Sequence, residues 1–229
     1  MGQIRLTGNP EIAVTVRRSA RARRLSLRIS QLDGRVTLTL PRAVPEAEGR
    51  AFLRAKEAWL RRHLETQGAP VPVGLGARIP LEGTLHEILP GAGRSVTRGE
   101  GVLHVPGDPD RAAARLQGYL RTLARDRLAA ASDFYSAKLG KPYTRLTLRD
   151  TRSRWGSCTS DGGLMYSWRL ILGHPEVLDY VAAHEVAHLR HMNHSDRFWA
   201  EVERLYGDWR APRKWLRDHG NELHRYRFD

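Results

Sequence analysis

The sequence predicts an α+β fold with a β-rich N-terminal region. Two observations carry this. Short apolar runs punctuated by glycine and proline, the mark of strands, fill most of residues 1–107, whereas residues 108–229 hold longer stretches with apolar side chains at helical spacing. Pro106–Pro109 is the best boundary, giving a β-rich region with one helix over residues 1–107 and a second domain over residues 108–229.

In chain order, Glu11–Leu40 reads as a β-hairpin or meander turning near Asp33-Gly34, a favoured hairpin dipeptide. Pro45–Glu65 is helical by pattern, with Phe52, Leu53, Trp59, Leu60 and Leu64 on one face. Gly68–Pro72 is a break, and Val73–Val105 holds several short strands, LHEIL and VLHV among them. Arg111–Leu139 is a long helix that turns Tyr119, Leu120, Leu123, Leu128 and Phe134 toward the core. Tyr143–Arg149 is a strand leading into a loop marked by Gly156, Ser157, Asp161, Gly162 and Gly163. Leu164–Leu172, with aromatic and branched residues, reads as a strand ended by Gly173. Pro175–Arg190 is a helix, because proline suits its first turn and Glu176 and Asp179 suit its positive end. Asp196–Tyr206 is a helix with Ser195 at its N-cap, and the tail from Asp208 forms a short helix ended by Gly220.

The helix at Pro175–Arg190 carries the chemistry. Its residues His184-Glu185-Val186-Ala187-His188 match H-E-x-x-H. Residues four apart stack on one helix face, about 6 Å apart, so two imidazoles can grip one metal ion. Glu185 then sits beside the metal's open position, where it can take a proton from water. Val177, Val181, Ala182, Ala183, Val186 and Ala187 help wrap most of the circumference in apolar groups, as in a buried helix. Two histidines and a glutamate are costly there unless paired or bound to metal. The competing view is a plain core helix with hydrogen-bonded histidines.

A site of this kind needs a third protein ligand. His194, six residues past His188, has the spacing of the H-E-x-x-H-x-x-G-x-x-H pattern. His191 stands where that pattern has glycine, so the chain must turn differently, and Asn193 tolerates a left-handed conformation. His191 and a downstream glutamate, Glu201 or Glu203, are the alternative ligands. Upstream, the strand at Leu164–Leu172 can run along the cleft and pair with an extended peptide. Arg152, Arg154, Tyr166 and Arg169 are candidate substrate-binding residues that would stabilise developing negative charge; solvated arginines are the alternative.

The formal charge is +13, from 38 basic and 25 acidic residues, and it is uneven: residues 1–75 hold 14 basic and 6 acidic side chains, residues 108–229 hold 21 and 16. The densest run, Val16–Arg28, has six arginines and no acid, a pattern that can neutralise phosphates. Yet only four of the 38 basic residues are lysine, and the alternation in RRLSLRI and RVTLTL fits outward-facing arginines on strands. Solvated strand faces are therefore preferred, with nucleic acid kept as a partner to test through this basic N-terminal region. No apolar run reaches the roughly 18 residues that span a membrane, and the start lacks an apolar signal core. A cytoplasmic protein without a membrane partner is expected. The single cysteine, Cys158, excludes an internal disulfide and reads as a small buried residue.

RWGSC at Arg154–Cys158, SWRLI at Ser167–Ile171, HEVAHLRHMNHSDRFW at His184–Trp199 and AFLRAKEAWLRRHL in the N-terminal half together resemble the YgjP-like family of small bacterial metallopeptidases. That family is related to SprT-like and WLM domains and to the minimal gluzincin fold. The resemblance covers nearly the whole chain and implies a zincin-like α+β core, an active-site helix plus a small sheet, as the catalytic domain over residues 108–229. It also implies His184, His188 and His194 as ligands of one Zn2+ and Glu185 as general base. The chain is thus expected to be a zinc metallopeptidase acting on a peptide or protein substrate. One alternative is a metal-dependent nucleotide pyrophosphohydrolase whose arginines hold phosphates, although no P-loop motif is present. The other is a DNA-recruited SprT-like protease or a non-enzymatic nucleic-acid-binding module.

Overall fold

The computed structural model describes residues 2–8, 10–30, 35–66 and 69–229, and its contacts divide the chain into two units, Met1–Pro70 and Val71–Asp229. In the first unit, β1 (Gly2–Leu6), β2 (Ile12–Ser19), β3 (Ser26–Ile29) and β4 (Val36–Pro41) form one sheet in the order β1-β2-β4-β3, followed by α1 (Glu46–Thr66). β1–β2 and β3–β4 pair antiparallel, but β2 and β4 run parallel, with Val16 opposite Leu38. The meander expected over Glu11–Leu40 is therefore a mixed sheet with an added strand, β1. Its turn at Asp33-Gly34 lies outside the described residues, as does Gly68 of the expected break. Val14, Val16, Val36, Leu38 and Leu40 are buried with Leu53 and Leu60 of α1, whereas Trp59 is 42% exposed. All six arginines of the Val16–Arg28 run are exposed: Arg17 and Arg18 at the end of β2, Arg28 on β3, and Arg21, Arg23 and Arg24 between the two strands.

In the second unit, β5 (Val71–Pro72) pairs with β13 (Tyr226–Arg227). β6 (Arg78–Leu81), β7 (Thr84–Gly91), β8 (Thr97–Arg98) and β9 (Val102–Pro106) form a sheet in the order β6-β7-β9-β8. The long helix α2 (Ala112–Leu139) follows, then β10 (Arg145–Arg149), β11 (Gly156–Cys158) and β12 (Gly163–Ser167) in the sheet order β10-β12-β11. Three helices complete the unit: α3 (Pro175–Ala187), α4 (Asp196–Tyr206) and α5 (Arg210–His219). The contacts divide at Pro70/Val71, where composition had suggested 107/108. The reason is the core: Ile79, Leu81, Ile88, Leu103 and Val105 share one buried cluster with Leu116 and Leu120 of α2 and with α3. A cut at 107/108 would open that cluster, and few contacts cross a true boundary.

Three local differences bear on the site. The strand expected over Leu164–Leu172 stops at Ser167, and Trp168–Leu172 is a 3-10 helix whose five residues are all buried. Burial all round leaves no alternation of faces to specify a strand. Phe134 is 61% exposed, and its neighbour Tyr135 turns inward instead, its hydroxyl donating to Asp179 at 2.6 Å. Gly220 follows α5 at φ −53° and leads into a further 3-10 turn, Gly220–His224, so it is no left-handed stop. Its place is closely packed: a Cβ there would lie 3.0 Å from Trp155 Cζ2. Among the described residues no helix is long and apolar enough to cross a membrane.

Candidate active site

α3 is buried on nearly every side through Val177, Val181, Ala182, Ala183, Val186 and Ala187. It ends at Ala187, three residues before the predicted end. The N–H groups of Leu189 and Arg190 donate to carbonyls three residues back, and that of His191 to Ala187 four back, which tightens the final turn. No left-handed residue is used: among described non-glycine residues only Glu82 has positive φ, so Asn193 does not make the turn as expected. Anchors distant in sequence hold it instead. Lys141 donates to the Leu189 carbonyl, and Arg190 donates to the Leu139 carbonyl at 2.7 Å and to Glu201 at 3.2 Å. Ser195 takes the N-cap position of α4 without a side-chain capping bond.

The returning chain brings His194 to His184 and His188. One ring nitrogen from each lies within 4.8 Å of the others, and His184 Nε2 and His194 Nε2 are 3.2 Å apart. Two nitrogens each about 2.0–2.1 Å from one tetrahedral ion are about 3.3 Å apart, so this spacing suits a shared metal. His188 Nδ1 donates to the His191 carbonyl at 2.8 Å, leaving its Nε2 with the free lone pair. Tyr180 places its hydroxyl 3.5 Å from His184 Nδ1, the nitrogen that does not face His194. Phe198, fully buried, floors the cluster with ring centroids 4.3, 4.9 and 4.8 Å from His188, His184 and His194. Burial pushes the His184 pKa down to about 3, with the other two imidazoles acting in the same direction. Burial also lowers His188, against its bond to His191. Imidazoles held neutral are in the form that ligates a metal.

The alternative ligands are engaged elsewhere. His191 contributes its carbonyl and its ring lies outside the cluster. Glu201 is held by Arg190 and Arg204, and the exposed Glu203 pairs with Arg210.

Glu185 is 6% exposed and faces β11. Gly156 makes its space: a Cβ there would lie 2.5 Å from Glu185 Oε1 and 2.6 Å from Cγ. Burial raises the Glu185 pKa to about 8, and the Arg154 charge opposes that rise. The sequence marked Gly156 only as part of a loop, although glycine within a strand is a sign of close approach.

The four candidate substrate-binding residues separate into two pairs. Arg152 and Arg154 are exposed. Tyr166 is fully buried with its hydroxyl 3.0 Å from Ser132 Oγ. Arg169, 4% exposed, donates twice to Asp150, at 2.6 and 3.0 Å, and to the carbonyls of Leu223 and Tyr226. Enclosure and full pairing remove Tyr166 and Arg169 from direct substrate contact. β12, expected to receive a peptide, is the central strand, and β10 and β11 are the edges, β11 being the one that meets Glu185. Sequence reasoning missed Tyr180, Phe198 and Arg213, which stacks on Trp199 at 4.6 Å and whose charge acts on His184. Cys158 is half-buried on β11, and burial raises its thiol to about 11.

The architecture is α+β, and its site is a convergent three-histidine cluster beside a buried carboxylate. The family model described as YgjP-like, metallopeptidase domain, matches residues 23–219, and the chain belongs to the YgjP-like family. Among solved structures it is similar to the metallopeptidase zymogen of Pyrococcus abyssi abylysin, at 24% identity over 42% of this chain and 92% of that one, with a TM-score of 0.34. The search among curated proteins gave no match.

Proposed function

We propose that the chain is a zinc peptidase in which His184, His188 and His194 hold the metal and Glu185 is the general base. The convergence of three ring nitrogens within 4.8 Å, beside a buried carboxylate, carries this proposal. Three imidazole donors suit zinc and would leave a fourth position open, and the same donors also accept nickel, cobalt or copper. A metal bound there supplies Lewis acidity toward a water molecule and the scissile carbonyl.

The chain's own groups supply the rest. The His191 carbonyl and the Tyr180 hydroxyl orient two of the imidazoles. Phe198 and the apolar shell of α3 limit water and keep local fields strong. Glu185, buried beside the three imidazoles, accepts in its ionised form the attacking water's proton and returns it to the leaving amine. The edge of β11 offers main-chain hydrogen bonds to an extended peptide, and Arg154 adds positive charge nearby. Glu185→Gln is expected to keep the metal and lose about 10³-fold in peptide hydrolysis. Wild-type hydrolysis by that variant would remove Glu185 from this role.

A further inference from the structure

We infer that the enzyme selects substrates with an acidic side chain close to the scissile bond, bound in an arginine-lined groove on the outer face of the β10-β12-β11 sheet. The inference rests on the peptidase proposal above. A groove of about 410 Å³ lies on that face, and its lining includes Arg145, Thr147, Arg149, Arg154 and Ser157.

Strand parity explains how the groove reaches the catalytic side. Along β10, Arg145, Thr147 and Arg149 are exposed and alternate with Leu146 and Leu148, which pack against the core. Thr147 lies opposite Met165 of β12, and Met165 lies opposite Ser157 of β11, so one face continues from β10 to the edge strand. Gly156, next in sequence to Ser157, faces the other way, onto Glu185. A peptide strand added to β11 must alternate its side chains in the same manner. Those on one side meet Glu185 and the three histidines, and the intervening ones meet the groove.

Charge identifies what the groove accepts. Some of the arginines are neutralised locally: Arg50 by Glu46, Arg98 and Arg127 by Glu82, Arg190 and Arg204 by Glu201. In the groove Arg145 is paired with Asp161 at 2.8 Å, but Arg149 and Arg154 form no ion pair among the described residues, and no described carboxylate lines it. Two guanidinium groups without an ion-pair partner among the described residues, in the groove that Ser157 also lines, match a carboxylate, and they disfavour lysine or arginine at the same substrate position. Arg149 is the groove arginine to vary, because it lines the groove and no ion pair among the described residues engages it.

The test is digestion of a denatured protein mixture by wild type and Arg149→Glu, with flanking residues of each cut read by mass spectrometry. Wild-type cuts are expected to be enriched about tenfold for Asp or Glu within two residues of the bond, with Arg149→Lys retaining the enrichment and Arg149→Glu losing or reversing it. Efficient cutting without charge preference overturns the groove and leaves the peptidase proposal standing. Should wild type cut nothing, the peptidase proposal fails, and anisotropy of labelled Asp-rich and Lys-rich hexapeptides on Glu185→Gln still decides the groove. At least tenfold tighter binding of the acidic peptide, lost in Glu185→Gln/Arg149→Glu, supports it; equal or absent binding overturns it.

Discussion

Replacing Gly156 by alanine introduces one methyl group against the proposed general base. That carbon would lie 2.5, 2.6 and 2.8 Å from Oε1, Cγ and Cδ of Glu185. Ordinary contacts between such atoms are about 3.5–4.0 Å, so something must move by about 1 Å. Glu185 is 6% exposed and belongs to a helix buried on nearly every side, so the helix backbone gives less readily than the carboxyl group. A displacement of about 1 Å at a catalytic group lowers the rate about 10²-fold, equivalent to about 2.7 kcal/mol in the barrier. The accompanying overpacking costs about 1–3 kcal/mol of stability. All three close atoms belong to Glu185 and none to a histidine, so metal content should be unchanged. The assay is kcat/KM on a quenched fluorescent peptide, with metal content and Tm measured on the same preparation. A folded, metal-loaded Gly156→Ala with wild-type kcat/KM would refute the idea that β11 positions the catalytic carboxylate.

Two further predictions concern the supports of the site. Phe198→Ala removes the floor under the three imidazoles and should cost about 3–5 kcal/mol in denaturant unfolding, together with weaker metal retention against a chelator; an unchanged midpoint would contradict that role. Asp150 is pushed up by burial but pulled further down by its hydrogen bonds to Arg169, so its folded pKa lies below its ordinary value. Its contribution is fully present above the unfolded value of about 3.9 and is lost as pH falls through the lower folded value. Asp150→Asn should therefore be less stable than wild type at pH 7, by about 1–2 kcal/mol because Asp150 is itself 44% exposed, with the gap closing in acid. A gap that stays constant down to pH 2 would show that the ion pair is not its source.

How much of the site the sequence reveals follows from what is local. His184, Glu185 and His188 are one helical turn, and the helix period alone brings them together. His194 is legible by spacing, but the turn that delivers it is not: its anchors, Lys141, Leu139 and Glu201, come from other elements. Tyr166 and Arg169 sit in an apolar run that shows no period, so nothing local says which side chains face the cleft. Their partners Ser132 and Asp150 are 34 and 19 residues away. The β-rich start is legible from alternation, whereas the parallel pairing of β2 with β4 is a long-range choice that alternation does not encode. The break at Pro106–Pro109 is a short link from the end of β9 into a 3-10 turn, and it lies within one core, because the apolar face of the β6–β9 sheet is buried in the same cluster as α2.

Metal content by elemental mass spectrometry, on wild type, His188→Ala, His194→Ala and His191→Ala prepared side by side, tests the central claim most directly. The expected result is about one zinc per wild-type chain, kept by His191→Ala, whose backbone carbonyl still accepts from His188, and lost by His188→Ala and His194→Ala. Wild type that takes up no metal after zinc is added, or a His194→Ala variant that holds it as firmly as wild type, would contradict the three-histidine centre.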